Sequence, residues 1–137
     1  MKILFVCRYN RFRSKFAEAY FKKINENKKI KISSGGVIPG LHKLRPRELK
    51  GREFIKKKYG LKIKGKPKGI NTTLLKKQDL IIIVADDVHK TLFSKKEYSK
   101  EVIQWKIPDE ESGNLKNLYK TTEAIVQKIN KLRKDLK

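Results

Sequence analysis

Cys7 is the only cysteine in a chain of 137 residues, and Arg13 stands six positions after it, followed at once by Ser14. Those residue types suit one task, attack on a phosphate ester. A thiolate is a strong nucleophile, and thiols at a helix N-terminus beside arginine ionise readily. The backbone N–H groups of Arg8, Tyr9, Asn10, Arg11 and Phe12 can turn inward as a nest for an anion. Arg13 can return across that loop and fork onto two phosphate oxygens. Ser14 can donate a hydrogen bond to the thiolate and later to the departing sulfur. A Cys-x5-Arg spacing is a weak signal by itself. Its context raises it: the cysteine ends the first apolar run, serine follows the arginine, and a helical pattern begins there. The competing reading is a small buried core residue, as free cysteines often are.

The elements that must position this loop can be read from periodicity. Lys2 to Cys7 is a short apolar run with β-propensity at Ile3, Phe5 and Val6, and predicts a buried strand. Ser14 to Asn27 predicts a helix, with Phe16, Ala17, Tyr20, Phe21 and Ile24 on one stripe. Ile30 to Ser34 predicts a second strand, with Gly35-Gly36 and Pro39-Gly40 marking a loop after it. Pro46 to Tyr59 predicts a helix that starts on proline and stops at Gly60, with Gly51 as an interruption. Lys62 to Gly69 reads as basic loop, and Asn71 as the cap of a short helix ending at Lys77. Leu80 to Ala85 is apolar throughout, as a central parallel strand would be. A short helix over residues 88–93, a strand over Val102 to Trp105 and a long helix over Leu115 to Leu136 complete the chain. Strands alternating with helices predict an α/β fold, a parallel sheet with helices on both faces, in one domain over residues 1–137. Ligands in such sheets bind beyond the carboxyl ends of the strands.

Composition excludes several classes. No run approaches the roughly 18 apolar residues of a membrane span, and Met1-Lys2 leads into no secretory signal. One cysteine excludes an internal disulfide, a redox dithiol pair and a cysteine-built zinc site. With only His42 and His89 besides, neither a metal nor a cofactor is expected, and the chain is expected in the cytoplasm. The net charge is +22, from 36 Lys+Arg against 14 Asp+Glu. Residues 1–40 carry ten basic and two acidic residues, 41–77 fourteen and two, and 78–137 twelve and ten. The excess thus lies in the part that holds the Cys7 loop and is expected to form the cleft wall. Nucleic acid is the first partner such a balance brings to mind. Lysine supplies 29 of the 36 cations, however, and is less suited than arginine to planar recognition of phosphates and bases.

Phe5-Val6-Cys7, Asn10, Arg13-Ser14 and Ala17-Glu18 resemble the signature of the low-molecular-weight protein tyrosine phosphatases. Ser33-Ser34-Gly35, Asp79-Leu80-Ile81-Ile82-Ile83-Val84 and Trp105-Lys106-Ile107-Pro108-Asp109 keep the same register along nearly the whole chain. The resemblance implies four parallel strands in order 2-1-3-4, with the phosphate loop after the first strand, and catalysis through a phosphocysteine intermediate. It implies Cys7 as nucleophile, Arg13 as phosphate clamp, Ser14 as thiolate stabiliser, and Asn10 as loop organiser in the left-handed conformation that asparagine tolerates. Three departures stand out. Tyr9 replaces a usual glycine, so the backbone there must suit a bulky residue. Phe12 replaces a frequent second cysteine, which leaves Cys7 without a resolving thiol. Arg11 replaces Ile or Thr at a substrate-contacting position, where it could strengthen anion binding or block an aromatic leaving group.

Phosphate transfer also needs a proton for the leaving oxygen, and Asp109 is the candidate; the same carboxyl could then act as base on water. Glu110 and Glu111 follow it where relatives usually have proline, which leaves open whether Glu110 shares the role. The competing reading is an acidic turn capping the last helix through Ser112 or Asn114. Asp86-Asp87 reads as a helix cap, His89 as a surface residue and Trp105 as core. The leading function is a phosphatase for a phosphomonoester, foremost protein phosphotyrosine, with a phosphorylated protein or small phosphomonoester as partner. Phosphoarginine is an alternative substrate. A non-catalytic phosphate- or nucleic-acid-binding module is a second alternative. An arsenate reductase is disfavoured for want of further cysteines.

Overall fold

The computed structural model describes residues 1–38, 46–109 and 114–136. Four strands, β1 (Lys2–Cys7), β2 (Lys31–Gly36), β3 (Gln78–Val84) and β4 (Ser99–Trp105), form one sheet in the order β2-β1-β3-β4. Every pairing is parallel. The α-helices are α1 (Arg13–Ile24), α2 (Pro46–Tyr59), α3 (Thr72–Lys76) and α4 (Leu115–Asp135). The expected order 2-1-3-4 and α/β class are those observed.

The two central strands explain why their sequences are apolar without alternation. Successive side chains of a strand point to opposite faces. Ile3 and Phe5 of β1, with Leu80, Ile82 and Val84 of β3, join a core built with Phe16, Phe21, Ile55, Leu118, Ile125 and Ile129 of α1, α2 and α4. Leu4 and Val6, with Ile81 and Ile83, face the other way against Leu75, Val88, Phe93 and Tyr98. Both faces are covered, so both sets must be apolar. Trp105 is buried core, with its ring 6.0 Å from Phe5.

The structure moves several boundaries. Helix α1 ends at Ile24 rather than Asn27, because the side chains of Asn25 and Asn27 bond to nearby backbone and divert the chain into a turn. Strand β2 runs on through Gly35-Gly36, expected as loop, because Gly35 and Gly36 pair with Val6 and Cys7. Strands β3 and β4 start two and three residues earlier than expected. The helix expected over residues 88–93 is a single 3-10 turn at Lys90–Phe93. Helix α2 has the expected limits, and Gly60 leaves it with φ of 65°. Asn71 caps α3 by accepting from the Leu74 N–H at 2.8 Å. Among the described residues, no helix is long and apolar enough to cross a membrane. Pro39-Gly40, His42, Glu110, Glu111 and Ser112 lie outside the described residues.

Candidate active site

Cys7 is the last residue of β1 and is 2% exposed. Its sulfur shares a hydrogen bond with the Ser14 hydroxyl at 3.0 Å and accepts one from the Asn10 N–H at 3.3 Å. The chain turns back toward the sulfur because Asn10 adopts φ of 57°, the one positive φ at a non-glycine among the described residues. The Asn10 carboxamide fixes that turn. It donates to Ser14 Oγ at 2.7 Å and to Ser34 Oγ at 3.0 Å, and accepts from the Lys68 N–H at 2.9 Å. Ser34 in turn donates to Glu18 Oε1 at 2.5 Å. Burial pushes the Glu18 carboxyl up, but its bonds from Lys22 and Ser34 outweigh this and hold it below its ordinary value. Tyr9, in the place of a glycine, fits without a positive φ.

Two glycines make room for the loop. A Cβ on Gly36 would lie 2.7 Å from the Tyr9 carbonyl carbon and 2.8 Å from the Asn10 nitrogen. A Cβ on Gly51 would lie 2.7 Å from the Phe12 ring. The glycine that interrupts the α2 stripe is therefore the seat of Phe12.

Arg13, the first residue of α1, is 3% exposed. It donates to the Ile107 carbonyl at 2.8 Å and to Asp87 Oδ1 at 3.0 Å, and Asp86 Oδ1 lies 3.9 Å away. Asp87 also faces Arg8 at 3.8 Å. The expectation that Asp86-Asp87 caps a helix is corrected: the 3-10 turn starts after His89, with no side-chain cap, and the two carboxylates lie beside Arg13. His89 is exposed, as expected.

The loop opens into a narrow cleft lined by Cys7, Tyr9, Arg11, Phe12 and Arg13, by Arg47 and Glu48 from the first turn of α2, by Asp109 and by Leu118. Asp109 is 102 residues from Cys7 in sequence, yet shares this cleft with it. Its Oδ2 lies 3.5 Å from Arg47 Nη2. Arg47 also bonds Glu48 at 2.8 Å, and Glu48 lies 4.0 Å from Arg11. The Arg11 guanidinium stacks over Tyr9 at 4.6 Å. A chain of alternating charge, Arg11–Glu48–Arg47–Asp109, thus crosses the cleft. Its open volume is about 20 Å³, close to what one water requires.

Sequence reading missed Arg47, Glu48, Asp87 and the Lys68 N–H. Glu48 did leave a signal, as one of only two acids in residues 41–77. The expected lysine-rich cleft wall is also corrected. Among the described residues the cations lining the cleft are Arg11, Arg13 and Arg47, and no lysine of 41–77 joins them. Lys50 and Lys57 line a hollow with Phe54 and Leu115, and Lys62 and Lys64 line a groove against α1. Among the described residues, no group of three or more His, Cys, Asp or Glu is placed to hold a metal ion.

Comparison with known proteins agrees with this geometry. The family model described as low molecular weight phosphotyrosine protein phosphatase matches residues 2–137. No curated protein matches the sequence. Among solved structures, a low molecular weight protein tyrosine phosphatase from T. tengcongensis is 25% identical, with 98% of this chain and 99% of that one covered and a TM-score of 0.79. The Drosophila arginine phosphatase is 20% identical, with 100% and 98% covered and a TM-score of 0.85. The arsenate reductase of Archaeoglobus fulgidus is 25% identical, with 96% and 98% covered and a TM-score of 0.74. The last two names differ in chemistry, so the fold alone does not choose a substrate. The match to the family model over nearly the whole chain decides the family: this chain belongs to the low molecular weight phosphotyrosine protein phosphatases, a family of cysteine-dependent phosphatases.

Proposed function

We propose that residues 1–137 act as one domain that hydrolyses a phosphomonoester, foremost phosphotyrosine on a protein, through phosphocysteine on Cys7. The carrying observation is that Cys7, Arg13 and Asp109 line one cleft although 102 residues separate the first from the last. In the first step the Cys7 sulfur attacks phosphorus in line with the leaving oxygen, which takes the Asp109 proton. In the second, Asp109 takes a proton from water as it attacks phosphorus, and the thiolate departs. Ser14 and the Asn10 N–H stabilise that thiolate from 3.0 and 3.3 Å. Arg13 has five donors; Ile107 and Asp87 orient it, and its remaining N–H groups are available to phosphate oxygens. The backbones of Arg8, Tyr9, Arg11 and Phe12 complete the cradle. This chemistry calls on no metal or cofactor. A single reduced thiol favours the cytoplasm as its location. The basic surface does not require nucleic acid as partner.

Glu48 supports a second reading, a phosphoarginine phosphatase. Glu48, buried on the cleft wall and held by Arg47 at 2.8 Å and near Arg11 at 4.0 Å, would take a cationic guanidinium leaving group in exchange for one of these arginines, an exchange a phenol does not offer. An arsenate reductase is disfavoured although one is among the similar structures, because Cys7 has no resolving cysteine in the chain.

One set of assays tests these statements. Cys7→Ser is expected to abolish hydrolysis of an aryl phosphate, and full activity in that variant would sink the assignment. Asp109→Asn is expected to slow poor leaving groups most; an equal loss on all substrates argues against its acid role. Measured beside them, Glu48→Gln lowers kcat/KM for a phosphoarginine peptide more than for a phosphotyrosine peptide if the second reading holds.

A further inference from the structure

A second, wider groove of about 480 Å³ shares no lining residue with the cleft. One wall is a face of α1, where Lys15, Glu18 and Lys22 follow at helical spacing, and the other is the segment carrying Lys62 and Lys64. Its volume falls within the roughly 300–1,000 Å³ of small-molecule sites. Five lysines line it against one carboxylate. That carboxylate, Glu18, is already engaged with Lys22 at 2.6 Å and Ser34 at 2.5 Å. Lys23 donates to the Tyr59 carbonyl at 2.7 Å.

Lys15 sets this groove apart from an ordinary lysine-rich surface. It is 5% exposed, and among the described residues its ammonium has neither a hydrogen bond nor a carboxylate within 4 Å. Its stem is packed away while the ammonium itself is reached by solvent and faces the groove without an anion on it. Burial pushes its pKa down; Glu18 opposes this, the nearby Lys68 and Arg52 add to it, and Cys7 opposes it more weakly. Arg52 carries a buried donor, its Nε, with no partner among the described residues. A cluster of cations is thus held together without enough anions to balance it.

We propose that this groove is a second anion site, distinct from the phosphate loop, that takes a compact oligophosphate held between Lys15 and the Lys62–Lys64 rim. The site touches the catalytic loop through two contacts. Arg52 donates to the Ile63 carbonyl at 3.3 Å on the groove wall and to the Arg11 carbonyl at 3.2 Å in the loop. The Lys68 N–H, four residues past Lys64, donates to Asn10. Order imposed on residues 62–64 by a bound anion therefore reaches the backbone around Cys7.

The test is calorimetric titration of tripolyphosphate into the full chain, with saturating orthophosphate present to occupy the phosphate loop. Binding is expected to persist in orthophosphate and to weaken about tenfold or more in the Lys62→Ala/Lys64→Ala variant, which loses two charge-assisted contacts. Both lysines lie outside the cleft, so that variant keeps its turnover of aryl phosphate. Lys15→Met is expected to remove the binding as well, but the double variant carries the test because its substitutions are exposed. Loss of all tripolyphosphate binding in orthophosphate assigns it to the catalytic loop and overturns the proposal. So does equal affinity in wild type and double variant. A single-stranded oligonucleotide that binds through the same lysines more tightly than tripolyphosphate also overturns it, and makes the groove a nucleic-acid track.

Discussion

Asn10 carries more of the catalytic loop than its small size implies. Its backbone supplies the left-handed turn and a donor to the Cys7 sulfur, and its carboxamide ties together α1, β2 and the segment at Lys68. Replacing it with alanine leaves Ser14, Ser34 and the Lys68 N–H short of a partner and forces a Cβ-bearing residue without side-chain support into that turn. Each buried unsatisfied group costs about 1–3 kcal/mol, so Asn10→Ala is expected to lower stability by about 3 kcal/mol in urea unfolding and to lose most activity. Asn10→Gly separates the two causes, because glycine adopts the same φ freely. If both variants are equally destabilised, the hydrogen bonds dominate; if glycine restores half the loss, the backbone conformation does. Arg13 is legible in the sequence as a phosphate clamp, but its second partner is not. Asp87 is 74 residues away, and only the ends of β1 and β3 lying side by side make it a neighbour.

At the scale of elements, the loop is shaped from outside as much as from within. Strand β2 ends on Gly36 because the phosphate loop passes directly over it, while Gly35 makes room for the Ile70 side chain. The Gly36 contacts are with backbone atoms, which cannot swing aside as a flexible side chain would. Gly36→Ala is therefore expected to push the loop away from Cys7, weakening inorganic phosphate binding about tenfold at a stability cost of about 1–3 kcal/mol, the usual penalty of overpacking. Phosphate binding equal to wild type would show that the loop can give way. Helix α2 matches its expected limits because its signals, Pro46 and Gly60, act on local backbone. Strands β2, β3 and β4 extend beyond their apolar runs because pairing with a neighbour satisfies backbone groups whatever the side chain. The end of α1 is an opposite case, where local Asn side chains win over a weak continuing pattern.

The whole molecule is a strongly cationic particle whose charge is sorted by place. Arginines line the cleft, while Lys50 and Lys57 of α2, and Lys62 and Lys64 after it, line other surfaces. Among the described residues, the pairs exposed on both sides are Lys57–Glu53, Lys76–Glu97 and Arg133–Glu26, and exposed pairs contribute about 0–1 kcal/mol each. With 36 cations against 14 acids, self-repulsion opposes the compact state. Sodium chloride screens charges beyond a Debye length of about 10 Å at 0.1 M. The thermal midpoint is accordingly expected to rise as salt is raised from low to physiological strength, as followed by circular dichroism. A falling midpoint would mean that attractive pairs outweigh the net charge. Around Cys7 the charges are mixed: Arg11, Arg13 and Arg47 line the cleft with Glu48 and Asp109, and Lys15 interacts with Cys7.

The sequence alone determined what depends on neighbours along the chain. Cys7, Arg13 and Ser14 share one loop, apolar runs mark the central strands, and alternation of strands and helices implies a parallel sheet with its loops on one rim. Asp109 was within reach for the same reason, since it too follows a strand. The tertiary structure decided what depends on which segments meet. It brought Glu48 and Arg47 into the cleft, set Asp87 on Arg13, seated Phe12 on Gly51, and turned the lysines of residues 62–64 toward Lys15 instead of toward Cys7. The physical reason is that periodicity reports which face of an element is buried, whereas contact between polar side chains depends on the packing of elements far apart in sequence. A single sequence carries no local trace of that packing.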